Sequence, residues 1–221
     1  MNEREPEIKI CGLTRPEESE YLNEYSVDYA GFVFYEKSKR NISFERADEI
    51  MKNLDAGIKR VAVTVSPDVR TVNKIMEHGF DILQIHRELG EEVIREAGIP
   101  IWYAINIEDE DNICVKLSFN AYMTGKYVNK IEGILLDAPV FGSGKPFDWK
   151  KSKRLLKAGD RSSPFYGRSL ILAGGLNSEN VLEGIKIFEP DVVDVSSGVE
   201  GDNGKSREKI KEFVNAVRWQ K

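Results

Sequence analysis

The chain has only two cysteines, Cys11 and Cys114, and only two histidines, His78 and His86, in 221 residues. Two cysteines are too few for a disulfide scaffold and point to a reducing, cytoplasmic setting. No apolar run approaches the roughly 20 residues that span a bilayer, so no membrane association is expected. Met1 to Glu7 are mostly charged or polar, so no signal peptide is expected either. Positive charge is not in excess: 32 Lys and Arg stand against 37 Asp and Glu, a formal charge of −5. The basic footprint of a nucleic-acid binder is therefore missing. No Pro/Gly/Ser-rich linker divides the chain. What is present is 41% hydrophobic and 10% aromatic residues, too apolar for a disordered polymer.

Short apolar runs alternate with amphipathic stretches. The runs are Ile8 to Cys11, Tyr29 to Phe34, Arg60 to Val65, Asp81 to Ile85, Ile101 to Ile107, Gly133 to Leu136, Ser169 to Ala173 and Val192 to Val195. Several helix starts can be read between them. Pro16 suits a first helical turn. Ser43 is placed as the N-cap of a helix through Leu54, Ser66-Pro67-Asp68 opens the next, and Asn177-Ser178 caps one through Phe188. A helix is expected around Glu91 to Ala97, a less regular one near Asp109 to Val128, and a last one over Ser206 to Trp219. The strands are continuously apolar, as expected when helices cover a parallel sheet. Eight strand–helix units in this length are roughly 27 residues each, a compact α/β fold of the (β/α)8 TIM barrel class. An open doubly wound sheet competes, but the first turn, Cys11-Gly12-Leu13-Thr14, has no GxGxxG. The expected organisation is one TIM-barrel domain over 1–221.

Chemistry in such a barrel sits at the C-terminal strand ends. Cys11, Phe34 with its loop to Arg40, His86, Asp137, Gly174-Gly175 and Ser196-Ser197-Gly198 all fall there. Cys11 could be a small buried hydrophobe. However, Lys9 shares its strand face, and a cation beside a thiol favours the thiolate. Asp137 either caps a turn or, if buried among Ile134, Leu135 and Leu136, keeps a proton to donate. His86 is a rim histidine or a ligand contact, while His78 lies on a helix away from the rim. Lys37 to Arg40 is a solvated charge run unless the ligand is anionic. Gly174-Gly175-Leu176-Asn177 and Ser197-Gly198 are tight turns, or turns whose N–H groups hold a phosphate after strands seven and eight. Lys9 and Asp194 are expected to point inward near the mouth and to form a buried ion pair. Cys114 is read as structural.

Together these motifs resemble the phosphoribosylanthranilate isomerase family of tryptophan biosynthesis. The resemblance rests on Lys9 to Thr14, Gly31 to Phe34 with Ser38-Lys39-Arg40, and Gln84-Ile85-His86. It continues through Leu135-Leu136-Asp137, Gly142 to Lys145 with Phe147-Asp148-Trp149, Ala173 to Asn177, and Asp194 to Glu200. It implies an Amadori rearrangement without metal or other cofactor. By the resemblance, Asp137 is the general acid and Cys11 the general base. Arg40 meets the substrate carboxylate, with His86 and Asp194 as further substrate contacts. Gly174, Gly175, Asn177, Ser197 and Gly198 hold the phosphate. The implied partner is a small phosphoribosyl substrate, with the protein a monomer or homodimer. Arg87 stands where the family usually has glycine and is expected to point outward. The segment Asp160 to Gly167 looks long and polar for the family.

Two other phosphosugar barrels fit less well. Indole-3-glycerol-phosphate synthase calls for an extra N-terminal segment and rim lysines. The histidine-pathway isomerase has an aspartate where Cys11 stands. A non-catalytic phosphate-binding barrel would be expected to lack the acid or the base.

Overall fold

The computed structural model describes residues 5–106, 130–138, 149 and 167–218. Eight parallel strands close into a barrel in chain order. They are β1 (Glu7–Cys11), β2 (Tyr29–Phe34), β3 (Lys59–Val65), β4 (Ile82–His86), β5 (Ile101–Asn106), β6 (Ile131–Asp137), β7 (Ser169–Leu172) and β8 (Val192–Val195). The ring closes where β1 meets β8, with Lys9 opposite Asp194. Helices α1 (Glu18–Glu24), α2 (Phe44–Met51), α3 (Val69–Glu77), α4 (Glu91–Glu96), α5 (Val181–Phe188) and α6 (Arg207–Arg218) follow their strands on the outside. A small antiparallel hairpin, β9 (Glu200–Gly201) with β10 (Gly204–Lys205), sits between β8 and α6.

Strand alternation explains the two-layered core. On β1, Ile8 and Ile10 face the helices and join a core with Phe32, Leu83, Ile85 and Phe213. Cys11 falls inside the barrel with Tyr29, Val61, Val63, Trp102, Leu135 and Ile171. Both faces of each strand are therefore apolar over most of their length, and the C-terminal ends carry Cys11, Thr64, His86, Asn106 and Asp137. The two ends of the chain are stitched together at the opposite pole. Asp28 Oδ2 accepts from Ile8 N and from Arg218 Nη2, each at 2.8 Å.

The helix starts follow the capping logic at two sites. Ser43 Oγ accepts from Arg46 N, and Asp68 Oδ1 accepts from Thr71 N at 2.8 Å. Three helix boundaries differ from expectation by two residues or more. Helix α1 begins at Glu18, with Pro16 in the turn before it. Helix α2 ends at Met51, and turns carry the chain past Leu54. Helix α5 starts at Val181 because Asn177 and Asn180 close a turn of their own. Asn177 Oδ1 accepts from Glu179 N and Asn180 N, and Asn180 Oδ1 accepts from Asn177 N. The expected helix near 109–128, Cys114, Gly142 to Asp148 and most of 160–167 lie outside the described residues.

Candidate active site

A cavity of about 420 Å³ opens at the C-terminal end of the barrel. Cys11, His86, Asp137 and Asp194 line it from strands β1, β4, β6 and β8, and the loop holding Arg40 forms one rim. Gly174, Gly175 and Ser197 line it from the loops after β7 and β8. Eight of the expected residues, from distant parts of the chain, thus meet at one mouth.

Lys9 is fully buried, and its Nζ donates to Asp194 Oδ2 at 2.9 Å, so the expected ion pair is present. Burial alone pulls the lysine pKa down, but Asp194 and Cys11 outweigh it and the net shift is upward. The other carboxylate oxygen, Asp194 Oδ1, is buried with no hydrogen-bond partner among the described residues. Such an orphan acceptor costs about 1–3 kcal/mol, which a ligand hydroxyl or N–H would recover.

Cys11 lies against Gly31 of the neighbouring strand. A Cβ on Gly31 would fall 3.0 Å from Cys11 Sγ and 3.1 Å from Lys9 Nζ, so the thiol and the ammonium crowd the space that glycine leaves. The electrostatic expectation for the thiol needs correction. Burial pushes the Cys11 pKa up, and Asp194 adds to that; Lys9 and Lys205 oppose without prevailing. The sequence shows the cation on the same face but not how dry the site is.

Asp137 behaves as burial predicts. Desolvation pushes its carboxyl up to about 7, even though Ala138 N donates to Oδ1 at 2.8 Å. Asp194 raises it further and Lys9 opposes. The group is therefore partly protonated near neutrality and can donate. His86 is buried, with Nε2 lying 2.8 Å from the Gln84 amide nitrogen. Burial, with Lys9 behind it, lowers its pKa to about 3, so the ring is neutral.

Arg40 is only 12% exposed, and its Nε donates to Glu200 Oε1 in the hairpin. Its Nη2 is buried without a hydrogen-bond partner among the described residues. Gly174 and Gly175 take φ of 86° and 73°, a left-handed backbone that glycine adopts without steric cost. Ser197 to Val199 form a 3-10 turn, and Gly198 packs directly on the Leu176 carbonyl, joining the two loops. Asn177 and Gly198 are not among the residues that line the cavity, and the Asn177 N–H and side-chain oxygen are engaged within its own turn.

Three participants carried no role in the sequence reading: Gln84, Glu200 and Lys205. Lys205 is buried, and its Nζ donates to Glu200 Oε1, Ser196 O and Ser196 Oγ. The partners of Glu200 and Lys205 are distant in the chain or reached through a turn, so local pattern gave little signal, whereas Gln84 meets His86 two residues along the same strand. His78 sits outside the mouth as expected, 2.9 Å from Asp48 and stacked on Phe44. Arg87 is exposed and outside the cavity lining, also as expected. Its φ of 66° explains why glycine suits that position. Among the described residues no cluster of three or more His, Cys, Asp or Glu is arranged to hold a metal. No helix among them is long and apolar enough to cross a membrane.

A closed eight-stranded parallel barrel whose mouth gathers a carboxyl with a pKa raised to about 7, a thiol and glycine turns places the protein among the (β/α)8-barrel enzymes. The family model described as N-(5'-phosphoribosyl)anthranilate (PRA) isomerase matches residues 8–216, and the chain belongs to this family of isomerases of tryptophan biosynthesis. The N-(5'-phosphoribosyl)anthranilate isomerase of Clostridium kluyveri is 40% identical, covering 96% of this chain and 97% of its own. That of Thermoanaerobacter pseudethanolicus is 39% identical with the same coverage. The fold matches the crystal structure of phosphoribosyl anthranilate isomerase from Thermotoga maritima with a TM-score of 0.79 and 32% identity, covering 97% of this chain and 99% of that one. A further match, to a phosphoribosyl anthranilate isomerase in complex with reduced 1-(o-carboxyphenylamino)-1-deoxyribulose 5-phosphate, has a TM-score of 0.78, 31% identity and the same coverage.

Proposed function

We propose that this chain converts N-(5-phosphoribosyl)anthranilate to 1-(2-carboxyphenylamino)-1-deoxyribulose 5-phosphate, with Asp137 as general acid and Cys11 as general base. The observation that carries the reading is the presence, in one cavity, of a carboxyl raised to about 7 and a thiol on the opposite arc of strands. Asp137 protonates the furanose ring oxygen, and the ring opens to a cationic Schiff base. That new positive charge beside Cys11 favours the thiolate, whose proton passes to solvent, and offsets the cost of burial. The thiolate then takes the C2 proton and leaves an enol–enamine. Tautomerisation passes the Cys11 proton to C1 and the C2 hydroxyl proton to the Asp137 carboxylate, which restores the acid, and the thiolate regains its proton from solvent as the product leaves. No step draws on a metal or other cofactor.

Arg40 meets the aryl carboxylate, for which a planar guanidinium is suited. The turns at Gly174-Gly175 and Ser197-Gly198 take the phosphate, with Asn177 bracing the first of them. Asp194 Oδ1 and His86 face the sugar. The reading extends to one barrel domain over residues 1–221, acting as a monomer or homodimer in the cytoplasm.

The test is a fluorescence assay following loss of phosphoribosylanthranilate with the wild type, Cys11→Ala and Asp137→Asn. Turnover by the wild type and its loss in both variants is expected. Turnover that survives both substitutions refutes the acid–base assignment. An inert wild type that still binds phosphate points to a binding barrel.

A further inference from the structure

The Glu200 carboxylate is a meeting point for three cations. Its Oε2 accepts from Lys39 Nζ at 2.9 Å, and its Oε1 accepts from Arg40 Nε and from Lys205 Nζ, the latter at 3.1 Å. Burial alone would raise the carboxyl pKa, but Arg40, Lys205 and Lys39 outweigh it and hold it near 2. The carboxylate is therefore ionised at any working pH. Even so, one negative charge faces three positive ones, and Arg40 keeps a buried nitrogen, Nη2, without a hydrogen-bond partner among the described residues. The four side chains together carry a net charge of +2, an excess that an anion at the mouth would offset.

Glu200 is itself firmly seated. It stands on β9, paired across the hairpin with Lys205. Lys205 N donates to Glu18 Oε1 at 2.7 Å, and Glu18 Oε2 accepts from Thr14 N and Arg15 N in the loop after β1. Lys205 Nζ also reaches Ser196, whose hydroxyl donates to the Cys11 carbonyl oxygen at 2.8 Å. The hairpin thus couples the arginine at one rim to the strand end that carries the thiol.

We infer that Glu200 is a positioning residue for Arg40: by holding the Nε side of the guanidinium it leaves the other nitrogens to a carboxylate on the substrate's aryl ring. It thereby sets the preference for a carboxylated over an uncarboxylated N-aryl phosphoribosylamine. The inference rests on the reading of Arg40 given above. Without the tether, Arg40 keeps its charge but loses the fixed orientation that a two-point contact requires.

The experiment compares inhibition by two probes. One is the reduced product analogue with its ring carboxylate, and the other is the same molecule with a plain phenyl ring. In the wild type the carboxylated probe is expected to bind about 10–100-fold more tightly, as for a charge-assisted paired contact. Glu200→Gln, which keeps the shape and loses the charge, is expected to reduce that preference by about tenfold and to raise KM more than it lowers kcat. Inhibition by inorganic phosphate is expected to stay unchanged. Glu200→Asp keeps the charge but is one methylene shorter, and an intermediate loss is expected; it also serves if the glutamine variant does not fold. An undiminished preference in whichever variant retains a cooperative melting transition overturns the inference. Arg40→Ala separates the two levels. If it leaves the preference intact, the carboxylate reading of Arg40 falls and the inference with it. If it abolishes the preference while the Glu200 variants keep it, only the inference falls.

Discussion

Lys9 Nζ lies 2.9 Å from Asp194 Oδ2, joining β1 to β8 with the lysine fully buried and the aspartate nearly so. Cys11 lies beside the pair and feels both charges in opposite directions, Lys9 favouring the thiolate and Asp194 opposing it. The two halves of the pair should therefore move the thiol oppositely. Lys9→Met is expected to raise the Cys11 pKa, and Asp194→Asn to lower it. Thiolate absorbance against pH, in a Cys114→Ser background, reads both. Lys9→Met also strands a buried carboxylate and should cost roughly 3–5 kcal/mol in denaturant unfolding. Shifts of the same sign in both variants would show that the pair only holds the fold.

Asp137 stands near 7 in the folded protein and near 3.8 without its surroundings. Its acid form is present below about 7 and is lost as the pH rises through that value. If it is the general acid, kcat should decline along that limb, and Asp137→Asn should lose on the order of 10²–10⁴ in kcat and abolish the limb.

The same shift carries a stability cost. Between about 4 and 7 the folded state holds a proton that the unfolded state has released, so stability falls as the pH rises across that window. Asp137→Asn removes the buried charge while its Oδ1 can still accept from Ala138 N. The variant is therefore expected to melt higher than the wild type above pH 7 while being inactive. Equal melting temperatures at pH 8 would contradict the burial of a charged Asp137.

Gly31 is the space into which the thiol and the ammonium fit. Gly31→Ala should force Cys11 and Lys9 apart at a cost of about 1–3 kcal/mol. It should also lower kcat more than it raises KM, since the distortion lies at the base and not at the phosphate. A kinetic comparison with calorimetry on the same samples checks both parts.

Gly198 has no room for a side chain against the Leu176 carbonyl. Gly198→Ala should separate the loops after β7 and β8, which the proposed phosphate site requires to be adjacent. The expected outcome is a raised KM and weaker inhibition by inorganic phosphate, with the Cys11 thiol titration unchanged. Unaltered phosphate inhibition would move the phosphate site elsewhere.

The eight strands were legible because each is a short apolar run ended by a polar or glycine residue. Where a strand boundary differs from the expected run it does so by one or two residues, and β2 and β8 do not differ at all. Helix ends were less legible at α5, where Asn177 had the composition of a cap but was engaged in a turn with Asn180. Most of the proposed site was also visible, since strand-end residues of a barrel must converge. Glu200 was not, because nothing in Val199-Glu200-Gly201 announces that Arg40, 160 residues earlier, needs an anion.

The sequence by itself determined the alternation of strand and helix, the face each strand residue takes, and hence which side chains share the mouth. It also implied the Lys9–Asp194 pair, because two inward-facing opposite charges in a dry barrel must meet. The tertiary structure alone decided the sign of the Cys11 shift. That sign is a competition between desolvation and two charges, one of them 185 residues along the chain from Lys9. The tether on Arg40 was decided there as well. Spacing along a chain specifies direction, whereas a pKa or a held guanidinium depends on how closely the ring shuts and how much water it excludes.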